Sequence, residues 1–141
     1  MPFRVLLFLI ILFGAYAEAQ SGPCTESVIK AGNLRPAADA FVYMPPYGKP
    51  VVGQSNIRAA DTKSFSDTSN IKRSWSADHR IVASPSGDMA YEQGTMQMNY
   101  DSKAEGHQDF KAVMLIVYKA KGAECQQAAL TMQPMEEDAK R

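Results

Sequence analysis

Few residues in this chain can do acid–base or nucleophilic chemistry, and they are scattered. His79 stands between Asp78 and Arg80 in a stretch of strand composition. An imidazole titrating near neutral pH is suited to act there as a general base. Asp39, at the head of Asp39-Ala40-Phe41-Val42-Tyr43-Met44, is the other weak catalytic candidate, as an acid. Both have plainer roles, because strand histidines are more often solvated or hydrogen-bonded, and acids at strand entries more often satisfy nearby backbone donors. No Ser-His-Asp order, glycine-rich phosphate loop or pair of carboxylates at useful spacing stands out. Two cysteines and two separated histidines, His79 and His107, do not make a zinc site. Met96 and Met98 alternate around Gln97, and Met44, Met114 and Met132 add further thioethers, the ligand type that selects Cu(I). Alternating methionines more often fill a sheet face, so no metal and no cofactor is expected. Tyr43, Trp75, Tyr91, Tyr100 and Tyr118 have apolar bodies with polar tips, suited to a ligand pocket or to the core.

The compartment is legible at the start of the chain. A short basic opening, Met1-Pro2-Phe3-Arg4, precedes an unbroken apolar run from Val5 to Phe13 and a small-residue exit, Ala17-Glu18-Ala19. That pattern is a secretory signal peptide, with cleavage expected between Ala19 and Gln20. The apolar run is about half the roughly 20 residues that a spanning helix requires. Removing 1–19 leaves one domain over 20–133 and a polar tail over 134–141, secreted or periplasmic. The chain carries 15 Lys and Arg against 15 Asp and Glu. It has no basic stripe for nucleic acid and no second apolar run for a membrane. In an oxidising compartment Cys24 and Cys125 have one way to pair within the chain. A bridge would stabilise by about 4–5 kcal/mol in the chain-entropy account. Pairing depends on geometry and stays open at this point.

The elements that would position these residues follow from punctuation and periodicity. Pro23 to Gly32 reads as a short helix with Val28 and Ile29 on its apolar face. Asp39 to Met44 reads as a strand stopped by Pro45-Pro46, and Gly53 to Phe65 as a second helix burying Ile57, Ala60 and Phe65. Ser66 to Asn70 reads as a polar loop and Lys72 to Ala83 as one strand. A turn at Ser84-Pro85-Ser86-Gly87-Asp88 leads into a strand from Met89 to Tyr100 with period-two alternation. Asp101 to Gln108 is expected to be a hairpin loop. Phe110 to Lys119 is the most apolar strand, expected to be central or buried on both faces. A turn at Lys121-Gly122-Ala123 precedes the last strand, Cys125 to Gln133. The order is that of an α+β domain with an antiparallel sheet.

Read in order, these motifs resemble a known family. Asp39-Ala40-Phe41-Val42-Tyr43-Met44-Pro45-Pro46, then Val51-Val52-Gly53-Gln54-Ser55-Asn56-Ile57-Arg58, is similar to the opening of nuclear transport factor 2-like domains. Ser86-Gly87-Asp88-Met89-Ala90-Tyr91-Glu92-Gln93-Gly94 is similar to their "S-G-D-x-A-Y-x-x-G" hairpin. The resemblance covers roughly 34–133. It implies a curved antiparallel sheet with N-terminal helices packed in its concavity, a cystatin-like cone enclosing an apolar pocket. Relatives include ketosteroid isomerase, scytalone dehydratase, polyketide (SnoaL-like) cyclases and binding modules, so function does not follow from fold. It also implies a longer first helix than this chain allows.

Placed on that pattern, the isomerase chemistry is missing. Met44 stands where the family's general-base Asp would be, Ala112 to Val117 contain no acid, and no Tyr lies between Gln20 and Phe41. Cys125 and Leu130 replace the Trp and the acid of other members. The expectation is therefore a secreted or periplasmic binder, without catalysis, of a small apolar ligand or a partner protein. Phe41, Tyr43, Met44, Trp75, Tyr91, Met96, Met98 and Met114 are the pocket candidates. The first alternative is a polyketide cyclase- or dehydratase-like enzyme using a pocket His, Asp or Tyr, and the second is a structural dimer-forming module. The shortened first helix leaves part of the sheet uncovered, and from that a homodimer is expected.

Overall fold

The computed structural model describes residues 22–135. The expected signal segment, 1–19, and the end of the expected tail, 136–141, lie outside the described residues. Among the described residues two α-helices, α1 (Glu26–Lys30) and α2 (Gln54–Phe65), precede or interrupt seven strands. The strands are β1 (Pro36–Tyr43), β2 (Val51–Val52), β3 (Thr68–Trp75), β4 (Arg80–Ala83), β5 (Met89–Ser102), β6 (Gly106–Lys121) and β7 (Glu124–Pro134). They form one curved, unclosed sheet in the order β2-β1-β7-β6-β5-β3, with β4 also on β5. The sheet is mixed: β1 runs parallel to β7, and every other pairing is antiparallel. This corrects the fully antiparallel expectation. Strands far apart in sequence can pair in either sense, and nothing in the local pattern of β1 or β7 specifies which.

Local chemistry accounts for most boundaries. Thr25 caps α1, accepting a hydrogen bond from the Val28 amide, and the helix stops after five residues at Ala31-Gly32. The expected strand from Lys72 to Ala83 is two strands, because the Asp78 carboxylate turns the chain at 76–79. It accepts hydrogen bonds from the Thr95 amide and hydroxyl at 2.8–3.0 Å, competing with the ladder as Asp side chains do in turns. β3 begins at Thr68 inside the expected polar loop, and the β5–β6 turn shrinks to 103–105.

β6 is central, between β5 and β7, but only one face is covered. Ala112, Met114, Ile116 and Tyr118 are buried, whereas Val113 is 51% and Leu115 40% exposed. The core lies on the inner face of the sheet, where Ala40, Val42 and Met44 of β1 meet Ile57 of α2 and the even-numbered residues of β6. Cys24 and Cys125 form a disulfide that ties the residue ahead of α1 to the start of β7. Cys24 is fully buried, and its amide donates to the Gly87 carbonyl at 2.9 Å.

Candidate functional site

A cavity of about 710 Å³ opens between α2 and the inner face of the sheet. That is a normal size for a small-molecule site. Its floor is a stripe of five methionines, Met44, Met96, Met98, Met114 and Met132. Register explains their convergence. Met114 of β6 pairs with Met132 of β7, and Met44 follows Tyr43, whose partner is Thr131. Met96 and Met98 share the β5 face with Gly94, the partner of Met114. Opposite the floor stand Ile57, Asp61 and Phe65 of α2.

The cavity's acid lies outside the sequence candidates. Tyr47, in the 3-10 turn Pro45–Tyr47, donates its hydroxyl in a hydrogen bond to Asp61, and both residues line the cavity. Burial, followed by the Asp61 bond, pushes the Tyr47 phenol well above its usual range, so it stays protonated. Arg73 of β3 also lines the wall. Asp61 was findable in the sequence: it lies four residues after Ile57, the spacing that puts two side chains on one helix face. Tyr47 lies just past the proline pair that stops β1, and Arg73 in a segment read as strand, with no local signal of a cavity.

The sequence candidates divide by strand parity. Met44, Met96, Met98 and Met114 line the cavity. Phe41 and Tyr43 do not; they are 37% and 46% exposed on the outer face. Successive strand side chains alternate between faces, so residues 41 and 43 cannot share a wall with 42 and 44. Tyr91 is likewise on the outer face, beside Val117 and Val82. Trp75 packs against the core and stacks on His79, ring centroids 4.4 Å apart and nearly parallel. Asp39 lies outside the cavity, and its carboxylate accepts two hydrogen bonds from Lys119 Nζ at 2.8 and 2.9 Å. That lysine holds Asp39 below the usual carboxylate range.

His79 belongs to a second polar cluster. Its Nε2 lies 2.8 Å from Glu92 Oε1, and the Tyr118 hydroxyl donates to Glu92 Oε2 at 2.6 Å. Glu92 is the buried charged residue among those described, and Tyr118 is buried too. Burial, with the Glu92 bond second, pushes the Tyr118 phenol far up. None of these three is on the cavity wall. Gly94 admits the His79 backbone: a Cβ at 94 would sit 2.8 Å from His79 Cα. Among the described residues no group of three His, Cys, Asp or Glu is arranged to hold a metal.

No protein-family model and no curated protein matches the chain. Solved structures do resemble it. A Xanthomonas campestris protein named as a calcium/calmodulin dependent protein kinase II association domain superposes with a TM-score of 0.61 at 15% identity, over 86% of this chain and 79% of that one. A ketosteroid isomerase-like protein from Erwinia carotovora atroseptica gives 0.59 at 15% identity, over 79% and 81%. A Streptomyces avermitilis protein named as a dehydratase of the nuclear transport factor 2-like family gives 0.53 at 15% identity, over 70% and 67%. At these identities the likeness is one of fold, and the chain has the nuclear transport factor 2-like fold that its motifs resemble.

Proposed function

We propose that the chain is an exported binding module whose inner cavity takes a small apolar ligand without catalysis. The observation that carries this reading is the methionine floor. Five unbranched, polarizable side chains line one face of a cavity of about 710 Å³, a surface that adapts to an apolar guest. The acid–base candidates Asp39 and His79 are engaged elsewhere, by Lys119 and Glu92. Export is supported by the signal pattern of 1–19 and by the Cys24–Cys125 disulfide, a bond of oxidising compartments. Among the described residues no helix is long and apolar enough to cross a membrane. Helices α1 and α2 cap the inner side in this reading, and α1, with five residues, covers little of it.

The outer face is assigned to a second copy of the chain. Phe41, Ala129, Val117, Tyr91 and Val82 form one register row across five strands, with Tyr43, Thr131 and Leu115 beside it. A continuous apolar face of this kind marks a partner, and the fold relative named as an association domain agrees with it. A purely structural dimer-forming module would share this face but take no ligand. Leu115→Arg should convert a dimer to a monomer in sedimentation while leaving ligand uptake intact.

A neutral apolar fluorophore, N-phenyl-naphthylamine, tests the cavity. It should bind saturably with one site per chain. Met114→Trp, which fills the cavity, should abolish binding, and Val113→Trp, on the outer face, should not. Absent binding, or binding that survives M114W, contradicts the reading. One observation favours the enzyme alternative: the Tyr47–Asp61 pair places a protonated phenol and a carboxylate inside the cavity. Turnover of a cyclisable or dehydratable ligand that is lost in both Y47F and D61N would establish that alternative.

A further inference from the structure

The polar groups of the cavity wall are not equally occupied. The Tyr47 hydroxyl bonds Asp61, the Thr62 hydroxyl donates to the Arg58 carbonyl, and the Ser66 hydroxyl donates to the Lys63 carbonyl. Arg73 differs. Among the described residues its guanidinium takes part in no ion pair and no side-chain hydrogen bond. It projects from the face of β3 that also carries Ile71 onto the wall, and its register partner is Met98, the first methionine of the floor.

From that point the floor is directional. The stripe runs from Arg73 to Met98 and Met96 on β5, then Met114 on β6, Met132 on β7 and Met44 at the end of β1. It crosses four inter-strand spacings of about 4.8 Å, or roughly 19 Å. The wall's one carboxylate, Asp61, stands at the far end with Tyr47, three residues beyond Met44. The cavity therefore offers a donor-rich cation at one end, a long flexible apolar track, and an anion at the other end that disfavours a second negative charge there.

Resting on the ligand-cavity reading above, we propose that the ligand is a long-chain monocarboxylic acid. Its carboxylate lies on Arg73 and its hydrocarbon chain follows the methionine stripe toward Met44. A planar guanidinium offers two parallel N–H donors that match the two oxygens of a carboxylate, and thioether side chains re-pack around an alkyl chain.

The test is displacement of bound N-phenyl-naphthylamine by myristic acid and by myristyl alcohol, which has the same chain and no charge. The wild type should prefer the acid by about tenfold or more, the increment expected of a charge-assisted hydrogen-bonded pair. Arg73→Gln should erase that preference, Arg73→Lys should retain part of it, and Arg58→Gln, on the exposed side of α2, should leave it unchanged. Equal displacement by acid and alcohol in the wild type, or an acid preference intact in R73Q, overturns the carboxylate assignment while the apolar cavity stands. A wild type that binds neither the fluorophore nor either lipid overturns both. Arg73 is exposed and among the described residues has no side-chain partner to lose, so R73Q should keep the wild-type circular dichroism and unfolding midpoint.

Discussion

Tyr118→Phe should destabilise the domain by about 2 kcal/mol, although the substitution removes one oxygen atom that is not on the cavity wall. The Tyr118 hydroxyl donates at 2.6 Å to a Glu92 that is 8% exposed, and among the described residues the only other side-chain partner of that carboxylate is His79 at 2.8 Å. A hydrogen bond to a charged group contributes about 1.5–3 kcal/mol, and in a site closed to water the abandoned acceptor finds no replacement. Glu92→Gln keeps the shape and a partner for the phenol, so it should cost less. The double variant should cost less than the sum, with a coupling of about 1 kcal/mol or more, because Y118F already removes the bond that E92Q weakens. Urea unfolding followed by Trp75 fluorescence is the assay; Trp75 is the only tryptophan and stacks on His79. A Y118F loss below about 0.5 kcal/mol, or strict additivity in the cycle, would refute the claim that this cluster is a closed, mutually dependent network.

Replacing both Cys24 and Cys125 by alanine should cost up to about 4.7 kcal/mol, the chain-entropy value for a loop of about 100 residues; chemical unfolding of oxidised wild type against the variant measures it, and equal midpoints would show that the bridge contributes nothing. Gly94→Ala should destabilise and shift the His79 ring resonances, since the added Cβ meets the His79 backbone at 2.8 Å; an unchanged histidine spectrum contradicts this. Asp39, Asp78, Asp88 and Asp101 are all held below the ordinary carboxylate range, first by Lys119, the Thr95 amide, Ser84 and Asn70 respectively. Their contribution is present above the unfolded value of about 4 and lost as pH falls through the lower folded values, so the melting temperature should hold from neutral pH to about 5 and drop below about 4. His107, raised first by its bond to Asp101, acts in the opposite sense: its contribution is present below about 6.5 and lost as pH rises through the folded value. His107→Gln should flatten that alkaline decline in a melting series.

The sheet was legible in the sequence where chemistry is local. The alternation of Met96, Met98 and Tyr100 located β5, and the proline pair at 45–46 ended β1. Parity, applied strictly, also separates Phe41 and Tyr43 from Met44, and Tyr91 from Met96, without coordinates. It places Glu92 on the inner face as well, with Ala90 and Met98. Other features depend on distant partners. Asp78 breaks a strand only because Thr95 lies opposite it, and β1 runs parallel to β7 through contacts more than eighty residues apart in the chain. The convergence of Met44, Met114 and Met132 follows from that same pairing, so sequence could name these methionines by type but not assemble them. Tyr47 and Asp61 meet because the turn after β1 packs on the third turn of α2.

On the proposed reading the methionine floor is a ligand surface rather than closed packing. Methyl NMR of the protein carrying labelled methionine, titrated with myristic acid, tests it most directly. Saturable shifts are expected at Met44, Met96, Met98, Met114 and Met132, the cavity methionines, while Met89 and Met135, exposed outside the cavity, should stay in place. Unmoved cavity methyls at saturating lipid, or shifts confined to Met89 and Met135, would contradict it.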